Sequence, residues 1–133
     1  MITSNSKILS FTAILLMIIT YTYAQETDGP KFEFEESKHD FGDIRRGDKV
    51  EHIFKFKNTG TKPLVISNII TTCGCTAPSW PKEPIPPNSQ GEIKVIFNST
   101  GKIGKQNKVI TIFSNSVNQK ERITISANVI PDN

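Results

Sequence analysis

The strongest constraint on this sequence is a two-residue alternation of apolar and polar side chains that restarts after every turn. Residues 31–36 place Phe32 and Phe34 between Lys31, Glu33 and Glu35. Residues 50–58 repeat the pattern with Val50, His52, Phe54 and Phe56 on one parity and Glu51, Lys55 and Lys57 on the other. Residues 91–98 carry Ile93, Val95 and Phe97, and residues 121–130 carry Ile123, Ile125, Ala127 and Val129. A period of two puts one set of side chains on one face of a strand, whereas a helix needs a period near 3.6. Between these runs stand Arg45-Arg46-Gly47-Asp48, Asn58-Thr59-Gly60-Thr61-Lys62-Pro63 and the glycines 101 and 104, all of which favour turns. With residues 37–44, 64–70 and 108–114 the count comes to about seven short strands. That number at such spacing predicts an all-β, immunoglobulin-like sandwich.

Two of the runs are apolar on both parities. Residues 64–70 set Leu64, Ile66 and Ile70 against Val65 and Ile69. That predicts a central strand covered on both faces. Residues 108–114 set Val109, Thr111 and Phe113 against Ile110 and Ile112, and the first set is assigned inward. Residues 78–89 contain five prolines and are expected to form a loop or an edge crossing, because proline cannot donate to a sheet ladder.

The first 24 of the 133 residues differ in kind. Lys7 precedes a nearly unbroken apolar run over residues 8–19, and Thr22-Tyr23-Ala24 supplies small residues at −3 and −1. This is the layout of a signal peptide, expected to be helical and cleaved before Gln25. Residues 25–30 then read as a linker and residues 31–131 as the domain. The run is shorter than the roughly 20 residues of a membrane span, so no span is expected after cleavage. Gln25 in place of cysteine argues against a lipoprotein. The expected location is periplasmic or extracellular. Without residues 1–24, 15 basic and 13 acidic residues leave a net charge of +2. So small and interspersed a charge gives no footprint for nucleic acid, and a monomer is expected.

At this point a resemblance emerges. Phe32-Glu33-Phe34, His39-Asp40-Phe41-Gly42-Asp43-Ile44, His52-Ile53-Phe54-Lys55-Phe56-Lys57-Asn58-Thr59-Gly60, Cys73-Gly74-Cys75-Thr76, Trp80-Pro81 and Gly91-Glu92-Ile93-Lys94-Val95-Ile96-Phe97-Asn98 together resemble domain of unknown function 1573. That family is common in exported proteins of Bacteroidetes-like bacteria. The resemblance covers essentially residues 31–130. It implies a sandwich similar to the major-sperm-protein and cilia-associated type, and it implies no activity.

Chemistry concentrates in residues 71–80, which hold both cysteines and the only tryptophan. Cys73 and Cys75 share a strand face if the strand persists through Gly74. One reading is structural, a buried pair or a short disulfide, which Gly74 would permit. A second is metal binding. Paired thiolates suit copper(I), and thiolates with His39 and His52, the only imidazoles, suit zinc(II). A third is thiol–disulfide exchange, which lacks an activating helix N-terminus, with Lys82 the nearest cation. No nucleophile elbow is present, and the glycines at 101 and 104 lack the spacing and following helix of a phosphate loop. The chain therefore reads as a non-enzymatic binding or structural module without a required cofactor. Its partner is expected to be an envelope protein or glycan, met through an edge strand or through a loop carrying Thr76, Pro78, Trp80 and Pro81.

Overall fold

A computed structural model describes residues 27–132. They form eight strands: β1 (Phe32–Phe34), β2 (Lys38–Arg45), β3 (Lys49–Asn58), β4 (Ile66–Thr71), β5 (Thr76–Ser79), β6 (Gln90–Asn98), β7 (Gly104–Ser114) and β8 (Lys120–Ile130). Two four-stranded sheets face each other, ordered β1-β3-β6-β5 and β2-β8-β7-β4. The described residues are thus an all-β sandwich consistent with an immunoglobulin-like fold. The expected signal-peptide helix lies outside them. The eighth strand is β5, which contains Pro78 and lies at a sheet edge, where a missing N–H is tolerated.

The core fills the space between the sheets. Phe54, Phe56, Ile93, Val95 and Phe97 from the first sheet meet Ile110, Ile112, Ile123, Ile125 and Val129 from the second. Phe32 stacks on Phe34 at 5.2 Å and tilts against Phe56 at 5.0 Å. β1 pairs antiparallel with β3. β2 belongs to the other sheet and runs parallel to β8. The polar stretch at residues 35–37 therefore carries the chain across the sandwich.

Where both parities are apolar, the face is set by register. In β7 it is Ile110 and Ile112 that are buried, while Val109 and Phe113 are only partly covered. Ile110 lies opposite the buried Ile123 on β8, and Phe113 lies opposite Lys120, so the inward assignment of Val109 and Phe113 is corrected. β4 is an edge strand, not a central one. A register shift between Ile66 and Asn68 reverses its parity. Ile66 and Ile69 are therefore both buried and Ile70 is 50% exposed.

Within the stretch read as a linker, residues 28–30 are fastened to the domain. Gly29 and Pro30 are buried, Gly29 N–H donates to Thr61 Oγ1 at 3.0 Å, and Asp28 pairs with Lys62 at 2.8 Å. Among the described residues, no helix is long and apolar enough to cross a membrane.

Candidate functional site

Two groups of chemically capable side chains stand at opposite sides of the sandwich. The first is the turn from β4 to β5, which passes from one sheet to the other. Cys73 and Cys75 are joined by a disulfide with their Cα atoms 5.3 Å apart. That spacing lies within ordinary disulfide reach. Thr71 Oγ1 donates to Cys73 O at 2.9 Å, and Thr76 N–H donates to the same oxygen at 3.3 Å. Asn98 N–H donates to Cys75 O at 2.9 Å and pins the turn to β6.

Beyond the turn, β5 pairs with β6, Thr76 opposite Phe97 and Pro78 opposite Val95. Both partners are core residues, so Thr76 and Pro78 take the inward row of β5, and Thr76 is buried. Trp80 follows at the strand end and packs against the core. Its indole N–H is buried without a hydrogen-bond partner among the described residues, and Lys82 Nζ lies over the ring, 3.2 Å from its centre. Trp80 and Pro81 also wall a shallow groove of about 570 Å³, completed by Ile53, Ser79, Glu92 and Lys94. Its floor is the outer face of the first sheet, where Ile53 is 40% exposed.

The second group lies where β1 gives way to β2. His39 on β2 and His52 on β3 come from opposite sheets, and both are partly buried. Their rings stack at 3.6 Å, only 8° from parallel. Phe41 meets His39 edge-on at 4.7 Å, and Phe54 meets His52 likewise at 4.7 Å. Glu36, in the crossing segment, contacts His52 Nε2 through its carboxylate. Burial and then the neighbouring His52 hold His39 below its ordinary pKa, while Glu36 and Asp40 pull it upward.

The structure thus joins the two cysteines to each other and the two histidines to each other, but not the pairs. The donor atoms of Glu36, His39 and His52 lie within 4.8 Å of one another, a cluster that could hold a metal ion, and neither cysteine belongs to it. With both sulfurs bridged, a site of two thiolates and two imidazoles is not assembled. Glu36 escaped the sequence reading. Its spacing of three from His39 is unremarkable on a strand, and its nearness to His52 depends on the sheet crossing.

A larger surface groove of about 790 Å³ runs along β2, β8 and β7, lined by His39, Asp40, Asp43, Gln106, Thr124 and Asn128 among others. Asn128 Nδ2 donates to Asp43 Oδ1 there at 2.8 Å. No nucleophile is paired with a base among these residues.

A family model described as "Protein of unknown function (DUF1573)" matches residues 32–129. No curated protein matches the sequence. Among solved structures, a protein of unknown function from Porphyromonas gingivalis W83 is similar at 16% identity and a TM-score of 0.67. That match covers 80% of this chain and 50% of the other, so the chain spans half the length of that relative. The ASH/PapD-like domain 7 of human CEP192 is similar at 12% identity and a TM-score of 0.64, over 83% of this chain and 94% of that domain. The YadV chaperone is similar at 15% identity and 0.56, over 77% and 52%. At these identities the likeness is one of fold.

Proposed function

The chain belongs to the DUF1573 family, and from that premise we propose that it is a non-enzymatic binding or structural module of the bacterial envelope. The observation that carries this reading is the groove of Ile53, Ser79, Trp80, Pro81, Glu92 and Lys94. It combines the exposed Ile53, an aromatic wall and charges of both signs on a sheet face. Such a surface suits an extended segment of another protein better than a small reactant, because it is shallow and no hydrogen bond couples its Ser79 to Glu92. Trp80 and Pro81 would make contact. Thr76 and Pro78 would act indirectly, by seating the strand that carries them, and the bridged Cys73 and Cys75 would fix the turn before it.

Export is part of the same reading. It is supported by the signal-like residues 1–24 and by a disulfide, which persists in oxidising compartments. The ASH/PapD-like likeness supports kinship with the major-sperm-protein and cilia-associated sandwiches. Periplasmic and cell-surface placement are both compatible with these features, as is a monomer.

The test compares the wild-type chain with Ile53→Asp, which puts a charge on the groove floor without touching the core. Both are cross-linked in envelope extract and offered envelope glycans. The expected result is a protein adduct formed by the wild type and lost in the variant at unchanged melting temperature. Equal adducts in both, or retention of glycan alone, would overturn the reading.

A further inference from the structure

We propose that Glu36, His39 and His52 form a binding site for a divalent transition metal of the zinc class, which ties edge strand β2 to the opposite sheet. The inference is independent of the Trp80 groove. The three donors come from three pieces of chain: the crossing segment, β2 in the second sheet and β3 in the first. All lie within 4.8 Å of one another. Zinc bonds of about 2.0–2.2 Å set tetrahedral donors about 3.4 Å apart. Binding therefore requires His39 and His52 to turn out of their parallel stack, so that their lone pairs converge on one ion.

Ligand type narrows the ion. Two imidazoles and one carboxylate suit zinc, and also copper(II) and nickel(II). Calcium and magnesium take oxygen ligands, and two of the three donors here are imidazole nitrogens. Copper(I) wants soft sulfur, and both sulfurs are bridged to each other.

Packing also favours a site. Phe41 packs against His39 and Phe54 against His52, so each imidazole has an aromatic neighbour to hold it once it turns from the stacked pair towards a shared ion. Metal-ligating rings need such support to hold their orientation. The Glu36 side chain is 45% exposed, which gives the ion a path from solvent and leaves a fourth position for water.

The physical consequence is a cross-sheet tie. β2 is hydrogen-bonded along one side only, to β8, and a register shift between Asp40 and Asp43 interrupts that pairing. An ion held by His39 and His52 would link β2 directly to β3. Because such a site does not exist in the unfolded chain, binding stabilises the fold by linkage.

The experiment titrates chelator-treated chain with zinc chloride, read by calorimetry and thermal melting. The expected result is one zinc per chain, with a melting temperature that stops rising at one equivalent. His39→Gln and His52→Asn are each expected to weaken binding by about tenfold or more, and Glu36→Gln to weaken it as well. The double variant Cys73→Ser/Cys75→Ser is expected to bind as wild type. Cobalt(II) loaded into the wild-type chain supplies a readout that needs no variant to fold. Its spectrum should show ligand-field bands without thiolate charge transfer. No binding at about 100 µM zinc, far weaker than structural zinc sites, would overturn the proposal. So would a thiolate band, or unchanged affinity in His39→Gln/His52→Asn.

Discussion

Asn58 shows how much one polar residue can hold in a small sandwich. It is fully buried, and its side chain is saturated. Nδ2 donates to Lys62 O at 2.8 Å and to Ile85 O at 2.9 Å, while Oδ1 accepts from Lys31 N–H at 3.2 Å and Gly60 N–H at 3.0 Å. One amide thereby joins the start of β1, the turn after β3 and the loop before β6. Asn58→Ala removes the partner of the Lys31 and Gly60 N–H groups and of the Lys62 carbonyl, while Ile85 O keeps the N–H of Leu64. At about 1–3 kcal/mol for each buried group left unmatched, and with water entering to offset part, a loss of about 3 kcal/mol is expected in urea unfolding. Gly60 is held to glycine by space: a Cβ there would stand 2.0 Å from Gly29 O and 2.6 Å from Lys31 N. Gly60→Ala must push two backbones apart and should cost about 2 kcal/mol or more. At the rim, hydrogen bonds from Lys62 first and Thr61 second hold the Asp28 carboxyl below its ordinary 3.8. A lowered carboxyl pKa adds stability above the ordinary value and loses it as pH falls through the folded one. The stability difference between wild type and Asp28→Asn should therefore be constant from about pH 5 to 8 and shrink below about pH 4.

Among the elements, β7 and β4 show where alternation is ambiguous. Ile112 is fully buried, while Val109 lies on the outer row opposite Thr124. Ile112→Ala should cost about 2–5 kcal/mol and Val109→Ala under about 1 kcal/mol, both measured by urea unfolding. Reversed costs would restore the inward assignment of Val109. In β4 the shift at residues 66–68 puts two isoleucines inward that are three positions apart, which strict alternation forbids. Bulges do this by inserting one unpaired residue. β2 uses the same device. Its register shift between Asp40 and Asp43 allows His39, Phe41 and Ile44 all to face the opposite sheet. Its Gly42 sits at φ 70°, a conformation natural to glycine.

At the scale of the molecule, the sheets are held together by the apolar core, and the disulfide contributes little to that. The bridge closes a loop of three residues, for which the chain-entropy relation gives only about 1.6 kcal/mol. Cys73→Ser/Cys75→Ser should therefore fold, with a loss of about 2 kcal/mol or less. Its near-ultraviolet dichroism and melting curve should show a native sandwich, and collapse of the fold would contradict this account. The sequence by itself determined the all-β class, the positions of most turns and the inward rows of β3, β6 and β8. In those strands one parity is mostly apolar and the other holds a single isoleucine each, Ile53, Ile96 and Ile130, so burial favours one choice. It also singled out the Cys-Gly-Cys turn and both histidines. Only the tertiary structure decided that β1 and β2 part into different sheets, that β4 lies at an edge and that Glu36 meets His39 and His52. Those outcomes depend on which strands pair across long stretches of chain and on where a register slips by one residue. Periodicity within one segment carries no information about either.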